Sequence, residues 1–67
     1  MIHEFDVGDL VKIVRKASIK EDITNDYINY YGYIDEIVED ENVSLVQICN
    51  TETTLWISNS RLKYIKG

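Results

Sequence analysis

Short runs of β-branched and aromatic residues, each bounded by small or polar residues, predict an all-β chain. In residues 10–16, Val11 and Ile13 alternate with Lys12, which is the period of a strand with one buried face. We therefore predict a first strand at residues 10–16, with Val11 and Ile13 pointing into the core.

Residues 17–30 show neither a strand period nor a helix period. Ser18, with Glu21 three positions later, matches the pattern that caps a helical turn. Loops of this length in small domains are usually functional or disordered, and the aromatic and aliphatic residues at the end of this one argue against disorder. We predict a long ordered loop that contains one helical turn.

Four more strands are predicted after this loop. In the second, at residues 32–40, Ile34 and Ile37 are three positions apart instead of two, which predicts a bulge or bend between them. In the last strand, the side chains of Leu62 and Ile65 are expected to lie in the core and anchor the strand there. The other predicted elements are strands at residues 43–49, 54–58 and 61–65, turns at 40–42 and 50–53, and a polar kink at 59–60.

Three short segments carry a resemblance to a known superfamily. They are VGDLVKI at residues 7–13, GYIDEI at 32–37 and WISNSRL at 56–62. Together with the strand pattern, they resemble the SH3-like small β-barrels, in the bacterial KOW-like form more than in the eukaryotic signalling form. The resemblance implies one domain over residues 1–67, a five-stranded partly open barrel with a long loop between strands 1 and 2. Because this fold serves many unrelated functions, the resemblance implies the fold and leaves the function open.

The chain has 67 residues, which is enough for one domain with a small core. Cys49 is its only cysteine, so it cannot form an internal disulfide. Cys49 and His3 are also too few to make a structural zinc site. Apolar packing and sheet hydrogen bonds are therefore expected to stabilise the fold.

The start of the chain has no basic region followed by an apolar run, so we expect no signal peptide. The apolar runs of the chain are two or three residues long, whereas a membrane-spanning helix needs about 20. We therefore expect a cytoplasmic protein that does not enter the membrane. The abundance of residues with AT-rich codons suggests that the chain comes from a low-GC bacterium or one of its phages. If a phage encodes the protein, it would act in the host cytoplasm.

The net charge of −5 is unevenly distributed. Residues 17–60 carry nine acidic side chains and one basic side chain, Lys20, whereas residues 61–67 carry three basic side chains and no acidic one. Binding to nucleic-acid phosphates requires the opposite balance. General nucleic-acid binding is therefore not expected.

The sequence contains no pattern that predicts catalysis, so we expect neither an enzyme nor a cofactor. Residues 22–26 place oxygen ligands at alternate positions, as at the start of an EF-hand loop. Tyr27 stands where that loop requires glycine, and no glutamate follows at the closing position. No metal site is predicted.

The tyrosines near the second strand are the strongest functional signal in the sequence. Some of them are expected to close the ends of the barrel and others to be exposed, and the sequence leaves both roles open. Trp56 is expected to point outward, either as a binding residue or as a packing partner of the loop. Exposed aromatics beside acids suit a protein partner with a basic surface. The predicted partner-binding residues are Tyr27, Tyr30, Tyr31, Tyr33, Trp56, Asp22, Asp26, Asp35 and Glu36.

These features of the sequence favour a small acidic protein-interaction module with a regulatory or accessory role. A specific form of it is a phage inhibitor of a nucleic-acid-handling enzyme, because several anti-CRISPR proteins present carboxylates where phosphates would sit. One alternative is a non-catalytic subunit of a larger enzyme. Another is a KOW-like nucleic-acid-binding barrel, whose basic strip would consist of Lys12, Arg15, Lys16, Arg61, Lys63 and Lys66.

Overall fold

A computed structural model describes residues 5–67 as five β-strands joined by turns and one long loop. The strands are β1 (Leu10–Ile13), β2 (Tyr31–Val38), β3 (Val43–Ile48), β4 (Thr54–Ser58) and β5 (Leu62–Lys66). Three short 3₁₀ turns lie between them, at Ile23–Tyr27, Glu39–Glu41 and Asn59–Arg61. The predicted all-β class and the number of strands are confirmed. His3 and the start of the chain, on which the signal-peptide prediction depends, lie outside the described residues.

The five strands form one antiparallel sheet in the order β4-β3-β2-β1-β5. β4 and β5 are therefore the two edges, and within residues 5–67 they do not pair with each other. The structure thus defines an open five-stranded sheet in a compact fold.

The core lies against one face of this sheet, which we call the inner face. Val11 and Ile13 of β1 point into it and are fully buried, as predicted. On β3, Ser44, Val46 and Ile48 are buried and alternate with half-buried residues, which is the period expected of a strand with one face packed. The buried apolar residues of the core are Phe5, Val11, Ile13, Ile34, Val46, Ile48, Ile57 and Leu62.

β2 has two local irregularities in its pairing with β3. The pairing of β2 with β3 shifts register between Ile34 and Glu36, which confirms the predicted bulge. Gly32, two residues earlier, faces the inner side so closely that an added Cβ atom would lie 2.7 Å from the Gln47 carbonyl oxygen. A side chain at position 32 would therefore clash with β3.

The first strand is shorter than predicted because the chain turns away after Ile13. The backbone N–H of Val14 donates to the carbonyl oxygen of Arg61 at 2.8 Å, and this bond directs the loop across the end of β5. The helical turn is also displaced: it spans Ile23–Tyr27, and its cap is Asp22 instead of Ser18. Asp22 Oδ1 accepts a hydrogen bond from the Thr24 backbone N–H at 2.8 Å.

The prediction for the last strand is half correct. Leu62 is buried as expected, whereas Ile65 is 37% exposed. The reason is a register shift in the pairing of β1 with β5, where Leu10 pairs with Lys66 and Val11 pairs with Tyr64. The extra residue, Ile65, therefore does not reach the core.

Candidate functional site

The outer face of the sheet presents three large aromatic side chains. Tyr31 and Tyr33 of β2 and Trp56 of β4 are 44%, 49% and 50% exposed. They point outward because they alternate with inward residues, namely Gly32 and Ile34 on β2 and Ile57 on β4. We call Tyr31, Tyr33 and Trp56 the aromatic face. The outward orientation predicted for Trp56 is confirmed.

Strand register fixes the spacing within the aromatic face. Tyr33 lies opposite Gln47 of β3, and Trp56 lies opposite Leu45 of the same strand. Leu45 and Gln47 are both half-buried and separate the two aromatics along the sheet. Tyr33 is also opposite Leu10 of β1. The aromatic face therefore has apolar and amide side chains between its rings.

Two of the predicted acidic residues border this face. Glu36 is exposed and lies opposite Leu45, which is itself opposite Trp56. Asp35 is the additional residue of the bulge in β2 and is also exposed. The bulge therefore places two consecutive carboxylates at the margin of the aromatic face.

The tyrosines of the loop are divided between the core and the surface. Tyr27 is half-buried and packs against the core cluster, so it acts as a lid. Tyr30 is 46% exposed, and its ring contacts the Tyr27 ring edge to face, with centroids 5.2 Å apart. Neither residue lies on the outer face of β2 beside Tyr31 and Tyr33.

The two loop acids have different environments. Asp26 is exposed on the first 3₁₀ turn. Asp22 accepts hydrogen bonds from both the hydroxyl and the backbone N–H of Thr24. These bonds, first the hydroxyl and then the N–H, hold the pKa of Asp22 below its ordinary value of 3.8. Asp22 therefore stabilises the turn, and its carboxylate is already engaged within the chain.

The residues of the alternative basic strip do not all reach the surface. Arg61 is buried, which corrects its assignment to that strip. Its guanidinium donates to the Arg15 carbonyl oxygen at 2.9 Å, to the Thr24 hydroxyl at 2.8 Å and to Asn25 Oδ1 at 3.3 Å. These bonds tie the long loop to the end of the sheet. Arg61 is thus a structural residue.

The remaining basic residues are at or near the surface. Lys12 of β1 lies directly opposite Lys63 of β5, and its ammonium is 5.4 Å from the centre of the Tyr31 ring. Lys66 is exposed at the end of β5, and Arg15 and Lys16 are exposed in the loop after β1. The outer face therefore has lysines at its β1–β5 end and carboxylates toward its β2–β3 end.

A cleft that the sequence does not predict lies beside Trp56. It has a volume of about 320 Å³ and is lined by Val38, Glu41, Val43 and Trp56. Val38 and Val43 are opposite each other at the end of the β2–β3 hairpin. The alternation of Val43 with Ser44 places Val43 on the outward side, but only the register shows that it meets Val38 there.

Comparison of the chain with models of known protein families and with curated proteins gives no match. Among residues 5–67, no helix is long and apolar enough to cross a membrane. The same residues contain no group of three or more histidine, cysteine, aspartate or glutamate side chains placed to hold a metal ion.

Proposed function

We propose that this chain is a small acidic protein-interaction module without catalytic activity, which docks on a basic surface of a larger protein in the cytoplasm. The observation that carries the proposal is the aromatic face, where three large aromatic side chains are about half exposed on one side of a 67-residue fold. Tyrosine and tryptophan are enriched at the energetic centres of protein interfaces. Large exposed apolar patches on small proteins commonly mark such sites.

The charge of the chain supports a basic partner. The net charge is −5, and Asp35 and Glu36 lie at the margin of the aromatic face. Carboxylates around an aromatic centre accelerate encounter with a positively charged surface and discriminate against acidic ones. A nucleic-acid-handling enzyme offers such a surface, and a phage inhibitor of the anti-CRISPR kind is the specific form of this proposal.

The proposed architecture is an SH3-like, partly open barrel. The strand order supports it, because β1 lies between β2 and β5 and is followed by the long loop. The bulge in β2 and Gly32 also support it, since bulges and glycines are the features by which short sheets curl. A 3₁₀ turn at Asn59–Arg61 before β5 corresponds to the polar kink that carries the resemblance.

The experiment is affinity capture from a low-GC bacterial lysate, followed by rate measurements on the purified partner. Glu36→Lys should chiefly slow association with the captured protein, by about tenfold at low salt, and added salt should reduce the effect. Glu52→Lys is the matched control, because it makes the same charge change in the exposed turn between β3 and β4. If the two variants slow association equally, net charge and not the aromatic face governs binding. If an oligonucleotide competes with the chain for the captured partner, the result would support the inhibitor form of the proposal.

A second candidate function, nucleic-acid binding, is favoured by the pairing of Lys12 with Lys63. Like charges directly opposite each other destabilise a sheet, and a bound phosphate would relieve that repulsion. Tyr31, beside Lys12, supplies a ring on which a base can stack. The test is titration of a labelled single-stranded oligonucleotide at several salt concentrations. Binding that falls steeply with salt and is lost in Lys63→Glu would favour this candidate over the first.

A further inference from the structure

The cleft beside Trp56 combines apolar walls with one carboxylate. Val38 and Val43 lie opposite each other across the β2–β3 pair. Trp56 is opposite Leu45, so it is the diagonal neighbour of Val43, and at that spacing a large aromatic side chain reaches its neighbour. Glu41 completes the lining from the second 3₁₀ turn. The volume of about 320 Å³ lies at the small end of the range for ligand pockets, which is roughly 300–1,000 Å³.

The turn that carries Glu41 is held in place from the other side of the sheet. Asn42, which follows Glu41, adopts a left-handed conformation with φ 55°. Its carbonyl oxygen accepts a hydrogen bond from the Asn59 backbone N–H at 2.8 Å, and its side-chain oxygen accepts one from Asn59 Nδ2 at 3.2 Å. The Ser44 hydroxyl donates in turn to Asn59 Oδ1. The carboxylate is therefore presented by an anchored turn, which lowers the entropy lost on binding.

The charge around the cleft selects the kind of occupant. Residues 35–41 contain five acidic side chains and no basic one. These carboxylates would repel an anionic group and gain nothing from a purely apolar one, whereas they would attract a cation. Among cationic side chains, arginine has a planar guanidinium that stacks on an aromatic ring and matches a carboxylate with parallel hydrogen bonds. Its aliphatic stem suits apolar walls such as Val38 and Val43.

We infer that the cleft receives an arginine side chain of the protein partner, with the guanidinium between the Trp56 indole and the Glu41 carboxylate. The inference rests on the proposed function, because it names the partner group that one end of the docking surface recognises. It adds a residue, Glu41, that the aromatic face does not include. It also gives Trp56 a defined contact, whereas Tyr31 and Tyr33 bind elsewhere on the partner.

The test uses the whole chain and needs no partner protein. Trp56 is the only tryptophan, so tryptophan fluorescence and the indole N–H signal in NMR report on the surroundings of this one side chain, and the signals of Val38 and Val43 show whether the cleft is occupied. The probe is a blocked Gly-Arg-Gly tripeptide, compared with the same peptide carrying citrulline or norleucine. The arginine peptide should bind weakly, in the millimolar range, and shift the signals of Val38, Val43 and Trp56. The uncharged citrulline peptide should bind about tenfold more weakly, because both the ring and the carboxylate interactions require the positive charge.

Two substitutions distinguish the effect of the Glu41 carboxylate on peptide binding from the effect of the net charge of the chain. Glu41→Gln should weaken the arginine peptide about threefold and leave the citrulline peptide unchanged. Glu52→Gln, in the turn between β3 and β4, changes the net charge equally and should have no effect. Both residues are exposed, so neither variant should disturb folding.

The inference is overturned if the arginine and norleucine peptides bind with equal affinity. It is also overturned if the arginine peptide shifts the NMR signals of residues outside the cleft instead of those of the cleft, or if it does not bind at all. None of these results touches the proposed function, which depends on whether substitutions on the aromatic face reduce partner binding. Conversely, the arginine peptide could occupy the cleft while Tyr33→Ala leaves partner binding unchanged. In that case the proposed docking surface is wrong, and the assignment of the cleft as an arginine site still holds.

Discussion

Arg61 and Thr24 are 37 positions apart in the chain, and Arg61 Nη1 donates a hydrogen bond to the Thr24 hydroxyl at 2.8 Å. Both residues are buried. The same guanidinium also donates to the Arg15 carbonyl oxygen, so it connects the start of the long loop and its 3₁₀ turn with the start of β5. One cationic side chain thus adds to the backbone bonds that hold the long loop against the sheet.

Thr24→Val should destabilise the fold by about 1–3 kcal/mol, because valine fills the same space but leaves a buried guanidinium N–H without its acceptor and removes the hydroxyl that donates to Asp22. Urea unfolding measures the change in free energy. The double variant Thr24→Val, Arg61→Met should cost less than the sum of the single variants, since it removes the donor together with the acceptor. A loss below about 0.5 kcal/mol for Thr24→Val would show that the bond does not hold the loop.

Asp22 should make stability depend on pH in the acid range. Its folded-state pKa lies below 3.8, because Thr24 donates two hydrogen bonds to the carboxylate. The carboxylate therefore contributes its full stabilisation above pH 3.8, and this is lost as the pH falls through the folded-state pKa. The difference in unfolding free energy between the wild type and Asp22→Asn should shrink as the pH is lowered from about 5 to about 2. A constant difference over that range would contradict this assignment.

Gly32→Ala should destabilise the fold more than Tyr33→Ala. This order is expected although Gly32→Ala adds only one methyl group, whereas Tyr33→Ala removes a whole ring. The alanine Cβ would lie 2.7 Å from the Gln47 carbonyl oxygen and would collide with Val46. Overpacking of this kind costs about 1–3 kcal/mol. Tyr33 is on the outer face, so its truncation should cost at most about 1 kcal/mol. Thermal melts of both variants decide the order, and the reverse order would mean that β2 can move away from β3.

Lys63→Glu should stabilise the fold by about 0.2–1 kcal/mol, because it replaces a like-charge pair with an opposite-charge pair. Lys12 and Lys63 lie directly opposite each other on β1 and β5. Lys66→Glu changes the net charge equally but faces Leu10, so it is the matched control and should not stabilise. The gain should decline at high salt. If Lys63→Glu is no more stable than Lys66→Glu, the two lysines do not repel each other.

The strands could be predicted from the sequence because their signals are local. Val11 and Ile13 show the period of a half-buried strand, and β4 has the predicted bounds. The spacing of Ile34 and Ile37 likewise indicated the bulge. These features depend on residues a few positions apart.

The features that the sequence did not show depend on contacts between distant residues. Nothing near Arg61 in the sequence indicates that its partner is Thr24, so the sequence alone predicts a cation at the surface. The exposure of Ile65 follows from the register shift between β1 and β5, and alternation along β5 cannot reveal that shift. The cleft forms only because strand register brings Trp56 of β4 next to Val43 of β3. Register between strands is set by the whole fold, which local patterns do not contain.

The central claim, that the aromatic face is the docking surface, is tested by comparing Tyr33→Ala with Tyr64→Ala. Tyr33 and Tyr64 are the same residue type with exposures of 49% and 50%, and Tyr64 lies on β5, outside the aromatic face. The measurement is the affinity of each variant for the captured partner, with thermal melts to confirm folding. Tyr33→Ala should weaken binding by about 2 kcal/mol or more, whereas Tyr64→Ala should change it by less than about 0.5 kcal/mol. Equal losses in the two variants, or a larger loss in Tyr64→Ala, would contradict the account.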